Sequence, residues 1–146
     1  MGALPAGKGA GEQWVRMHYA RLVAAYRARA AHAGTALLVV IDADTSEVDH
    51  RFRQLQDTLA EARLKPRSNN EKIAHLVLKR SIETWILFLT GSNVNETTDY
   101  RNAHKVDDQV KAATLKFFEW SRKNASLPQN CLRSLVVAIP EIRRLE

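Results

Sequence analysis

Two carboxylates two residues apart, Asp42 and Asp44, follow directly on an unbroken apolar run, Thr35-Ala-Leu-Leu-Val-Val-Ile41. Short runs rich in β-branched residues predict a strand buried on both faces, as in parallel sheets. Asp42 ends that run, which puts the pair at the strand's carboxyl end, where ligands bind in open α/β sheets. At that spacing both side chains can approach one cation, and an oxygen-only donor set suits Mg²⁺ or Mn²⁺. A second reading needs no metal: Asp44, with Glu47 three residues on, fits a capping box opening the next helix. That accounts for Asp44 and leaves Asp42 without a role.

A second apolar run, Ile73 to Leu78, ends at Lys79-Arg80-Ser81-Ile82-Glu83-Thr84-Trp85. With Ser81 as the helix cap, Glu83 falls in the first turn, on the same sheet edge as the Asp pair. There it either faces Asp42 and Asp44 or simply complements the helix dipole. Lys79 and Arg80 supply positive charge suited to phosphate. Trp85 and Ile86 read as core. Gly2-Ala-Leu-Pro-Ala-Gly7-Lys8-Gly9 approaches the phosphate-binding loop G-x-x-x-x-G-K-[ST], but Gly9 replaces the Mg²⁺-binding hydroxyl and no strand precedes it. This excludes a nucleotide triphosphatase reading and leaves only a glycine-rich approach of backbone to phosphate.

These groups need a scaffold to position them. Residues 1–11 read as a turn-rich loop or short edge strand. A helix with Val15, Tyr19, Leu22 and Tyr26 on one face follows and stops at Ala33-Gly34. After Asp44 a helix runs on a stripe of Val48, Phe52, Leu55, Leu59 and Ala62, closed by Pro66. A short helix covers about Ile82 to Leu89, and residues 91–104 form a polar loop. Val106, Val110, Ala113, Phe117 and Trp120 stripe another helix. Pro128 opens a last one, with Leu132, Leu135, Val136 and Ile139 inward. Helices alternating with buried strands predict a single α/β domain over 1–146, built on a parallel sheet. Two strands make a small sheet, so a short edge strand within residues 1–11, another chain, or sequence upstream of this start is expected to complete it.

Composition narrows the partners. The 146 residues carry 22 Lys plus Arg against 16 Asp plus Glu, a net charge of +6, with a pI near 9.8. That balance suits an anionic partner, nucleic acid before membrane, or a solubilising basic surface. One cysteine, Cys131, excludes an internal disulfide and any cysteine-rich zinc site. The five histidines show no ligand spacing, and His75, inside a strand, reads as a satisfied core residue. Asn95, Glu96 and Asp99 read as solvated loop residues that could close over the carboxylate site. No apolar run reaches the ~18 residues of a membrane span and no secretion signal opens the chain, which points to the cytoplasm.

The stretch Leu37-Leu38-Val39-Val40-Ile41-Asp42-Ala43-Asp44 resembles the hydrophobic strand plus D-x-D of the Toprim fold, shared by topoisomerases, primases and OLD-family nucleases. Arg80-Ser81-Ile82-Glu83-Thr84-Trp85 is similar to the R-x-I-E-x-W element of small Toprim-like proteins, and the two stretches keep the family's strand–helix–strand order over roughly residues 35 to 90. The resemblance implies a three-layer, Rossmann-like parallel sheet flanked by helices. It also implies Mg²⁺- or Mn²⁺-dependent phosphodiester chemistry, with Asp42 and Asp44 as metal ligands and Glu83 holding a second metal as in two-metal nucleases. The family's first strand and the Glu that ends it have no counterpart here: the only Glu before Asp42 is Glu12, which opens a helix. Lys79, Arg80, Lys8 and Arg16 are the expected contacts to a DNA or RNA backbone. A non-catalytic basic module that binds nucleic acid or a protein partner is the rival reading.

Overall fold

The computed structural model describes residues 10–30, 34–102 and 106–146. Both apolar runs form strands, β1 (Leu37–Asp44) and β2 (Ile73–Lys79). They pair in parallel with Leu37 opposite Ile73 and Val40 opposite Leu76. A parallel pair requires a crossover, supplied by α2 (Val48–Glu61). Before β1 runs α1 (Ala10–Arg29). After β2 come α3 (Ile82–Leu89), a 3-10 turn at Asp107–Gln109, α4 (Val110–Ser121) and α5 (Arg133–Arg143). The result is an α/β arrangement, a two-stranded parallel sheet packed against helices, with further helices towards the C-terminus.

Side chains on the two faces of the sheet enter different cores. On one face Val39, Ile41, Ile73 and Val77 meet Tyr19 and Val23 of α1 and Val48, Leu55 and Leu59 of α2. On the other, Leu76 and Leu78 pack against Trp85, Ile86 and Leu89 of α3, Ala113 of α4, and Leu132, Leu135 and Ala138. β2 is therefore buried on both faces, as its continuous apolar run predicts. β1 is not. Leu38 and Val40, on the Leu76 side, are each 47% exposed, because the helices that cover this face sit over β2. The strand also continues past the run, so that Asp42 lies within it and Asp44 is its last residue.

The two sheet edges are finished differently. The N–H of Leu37 donates to the carbonyl of Lys72 at 2.8 Å, and alternation along a parallel ladder then turns Ile73 and His75 outward from β2 and Leu38, Val40 and Asp42 outward from β1. On the β2 edge Glu141 accepts the His75 N–H at 2.7 Å, while Arg67 and Arg144 each donate to the Ile73 carbonyl at 2.9 Å. Charged side chains thus stand where a third strand would lie, satisfying groups that burial would otherwise leave costly. On the β1 edge Arg51 of α2 donates to the Asp42 carbonyl at 3.0 Å. Among the described residues nothing comparable covers Leu38 and Val40.

Several local expectations change. The Asp44–Glu47 capping box does not form: Glu47 itself occupies the N-cap position of α2 and makes no side-chain cap bond, while Asp44 turns into the left-handed region at φ 52°. Ser81 holds the N-cap position of α3, but its buried hydroxyl bonds nothing among the described residues. Pro128 precedes α5 by several residues rather than opening it, and Cys131 lies ahead of that helix, packed against the core. Val110 and Val136, placed in apolar stripes, are exposed, because each sits at the margin of its helix's buried face.

Candidate carboxylate–arginine site

The carboxyl ends of β1 and β2 meet at an irregular step in register, with Asp42 opposite Leu78 and Asp44 opposite Lys79. The chain leaves both strands through left-handed residues, Asp44 and Arg80 (φ 74°), and the Arg80 N–H donates to the Asp44 carbonyl at 3.3 Å. Aspartate tolerates that conformation through its short polar side chain. Arginine does not, and holding a non-glycine residue there costs on the order of 1 kcal/mol, a form of strain that clusters at functional sites.

The structure brings Asp42, Asp44 and Glu83 to one end of the sheet. Glu83 lies in the first turn of α3. The Asp42 pKa is raised, first by the protein atoms crowding its carboxyl and then by the negative charges of Asp44 and Glu83, against the opposing pull of Arg101 and Arg51. The Asp42 residue as a whole is exposed, and its carboxyl group lies among charges of both signs. Asp44 is held by two guanidinium groups, Arg80 at 3.6 Å and Arg101 at 3.5 Å. Arg101 is in turn clasped by Asp99 at 3.0 Å, which lowers the Asp99 pKa.

The expected phosphate contacts are dispersed. Lys79 donates to the carbonyls of Ser46 (2.6 Å) and Thr45 (3.2 Å), tying down the loop after β1. Arg80 faces Asp44. Arg16 pairs with Glu12 one turn away on α1. Lys8 lies outside the described residues. Glu12 also pairs with Arg51 at 2.7 Å, so a chain of charges runs from Arg16 through Glu12 and Arg51 to the backbone of Asp42. Of the loop residues, Asp99 does approach the site, through Arg101. Glu96 does not: it accepts hydrogen bonds from the N–H and hydroxyl of Ser134, at the N-terminus of α5.

Arg51 and Arg101 were not singled out from sequence. Arg51 had a signal, since an arginine three residues after Val48 and four before Leu55 sits in the apolar stripe of α2. Arg101 had none, because its partners are distant in the chain or lie in a polar loop.

The donor chemistry at Asp42 and Asp44, oxygen-only and strand-anchored, fits a hard divalent cation that keeps most of its waters. Among the described residues no group of three His, Cys, Asp or Glu side chains is arranged to hold a metal ion. A cation here would thus have two protein carboxylates, with Glu83 in electrostatic range, and would have to draw Asp44 away from Arg80 and Arg101. Among the described residues no helix is long and apolar enough to cross a membrane. No protein family, no curated protein and no solved structure matches this chain.

Proposed function

We propose that this protein is a Toprim-like, Mg²⁺- or Mn²⁺-dependent protein of nuclease lineage that acts on the phosphodiester backbone of DNA or RNA in the cytoplasm. The observation that carries this reading is the gathering of Asp42, Asp44 and Glu83 at the carboxyl ends of adjacent parallel strands, with Arg80 and Arg101 beside Asp44. Asp42 and Asp44 would hold the cation, and Glu83 would serve a second one. The metal would supply charge for a phosphodiester's developing negative oxygens. Arg80 and Arg101, released from Asp44, would bind and orient the phosphate as planar two-pronged donors. The bare β1 edge supports a further element of the reading, that a second subunit or partner strand completes a larger, three-layer sheet.

The arginine contacts to Asp44 and the use of Lys79 as a loop tether favour a second reading, a non-catalytic basic module that binds nucleic acid or a protein partner. Titration calorimetry with Mn²⁺ separates the two. Saturable heat in the wild type, lost in Asp42→Ala, supports the metal site. Equal heats in both proteins, with nucleic-acid binding that weakens steeply in salt, support the binding module.

A further inference from the structure

Away from the carboxylates, a cavity of ≈ 180 Å³ opens between α1, α2 and the connection into β2, walled by Phe52, Gln56, Leu59, Pro66 and Arg67 and lined on its inner side by Tyr19 and His75. It shares no residue with the Asp42 site. Pro66 and Arg67 lie in the connection that enters β2, at the opposite end of the strand from Lys79. Tyr19 and His75 are both more than nine-tenths buried. Tyr19 Oη and His75 Nε2 are hydrogen-bonded at 2.7 Å. The histidine is thus not the fully satisfied core residue expected from sequence, since its Nδ1 is sealed from solvent with no partner among the described residues.

Counting protons shows what the pair lacks. Burial, helped by the positive charges of Arg67 and Arg144, pushes the His75 pKa down to about 3, so the ring is neutral and carries one proton. Burial pushes the Tyr19 pKa up to about 12, so the phenol keeps its own. Two protons share one hydrogen bond, and no other hydrogen bond to Tyr19 Oη forms among the described residues. If the phenol donates to Nε2, the spare proton sits on Nδ1, where nothing reaches it, and an unmet buried donor costs about 1–3 kcal/mol. If Nε2 donates to the phenol oxygen, the spare proton is the Tyr19 hydroxyl hydrogen, on a residue that lines the cavity. The second tautomer is the better one whenever the cavity holds an acceptor, whether water or a ligand carbonyl.

We propose that this cavity binds the carbonyl or carboxylate end of a compact small molecule of mixed polarity, with Tyr19 as the donor and His75 as the group that sets the donor's direction. Phe52, Leu59 and Pro66 give apolar walls, and Gln56 and Arg67 give polar ones, the charge of Arg67 being met by Glu141. The size suits one ring, as an apolar cavity of about 150 Å³ already accepts benzene.

The test is nitrogen-15 NMR of the His75 ring in the intact protein, titrated separately with benzoate, benzamide and toluene. Saturable binding of benzoate or benzamide with the bound-state ring in the Nε2–H tautomer is the expected result. The carboxylate and amide arms tell whether the acceptor is charged. Tyr19→Phe should weaken that binding about tenfold, one hydrogen bond's worth, with an unchanged circular dichroism spectrum. Toluene binding as tightly as benzamide to the wild type would overturn the acceptor assignment whatever the variant does. So would a bound state with the ring in the Nδ1–H tautomer, and absence of saturable binding by all three probes would overturn the site.

Discussion

Glu141 reaches from α5 to accept the main-chain N–H of His75 at 2.7 Å, so a helix carboxylate replaces the carbonyl of an absent neighbouring strand. The same carboxylate receives Arg67 through both guanidinium arms, and Arg67 and Arg144 complete the pattern on the Ile73 carbonyl. A buried acid is tolerated here because every direction around it is met by a donor.

Removing that carboxylate should therefore be expensive. Glu141→Ala leaves the His75 N–H unmet and Arg67 without its counter-charge, and should destabilise the protein by about 3–5 kcal/mol, the range for breaking a buried pair from one side. Glu141→Gln, which keeps the acceptor oxygen, should lose less. Urea unfolding of the two variants checks this, and a loss under 1 kcal/mol for the alanine variant would make the edge cap ornamental.

His75 predicts an acid-side weakness. Its pKa falls from 6.5 in the unfolded chain to about 3 in the folded one, so between those values the unfolded chain takes up a proton that the native ring refuses. Stability from this residue is complete above pH 6.5 and declines as pH falls toward 3, with a slope approaching ~1.4 kcal/mol per pH unit. Chemical unfolding at several pH values should show a shallower acid decline in His75→Gln than in the wild type.

At the carboxylate site, Arg101 competes with any cation for Asp44. Arg101→Ala should therefore tighten Mn²⁺ binding, by up to about fivefold given the modest worth of an exposed ion pair, and should leave stability within about 0.5 kcal/mol. Affinity unchanged in this variant but abolished in Asp42→Ala would show that the guanidinium yields at no measurable penalty.

The uncovered strand makes a fourth case. Val40→Lys places a charge on the exposed face of β1 and should reduce concentration-dependent association of the wild type, measured by sedimentation, while changing folding stability little. A wild type that stays monomeric at millimolar concentration would mean that Leu38 and Val40 serve no contact between copies.

What the sequence disclosed followed from local pattern. The two apolar runs, the helical stripes and the placing of Asp42, Asp44 and Glu83 at one sheet edge all rest on spacing within a few residues. What it hid depends on neighbours far along the chain. An apolar run looks alike whether one face or two are covered, so the exposure of Leu38 and Val40 could not be read from it. The Asp44–Glu47 pair has the spacing of a capping box, yet Asp44 is drawn off by Arg80 and Arg101, and Arg101 is 57 residues away. The contact of His75 with Glu141, 66 residues apart, leaves no periodic trace at all.

That last separation also has a consequence in time. On the ribosome β2 is complete roughly sixty residues before Glu141 and Arg144 are added, and at about 5–20 residues per second that interval is some 3–12 s. Throughout it the β2 edge lacks its α5 cap, with the His75 N–H open to any passing strand and only Arg67 in place on the Ile73 carbonyl. Synthesis of the last helix is thus the step that closes one flank of the sheet, and a chain halted before residue 141 would be the species that chaperones meet.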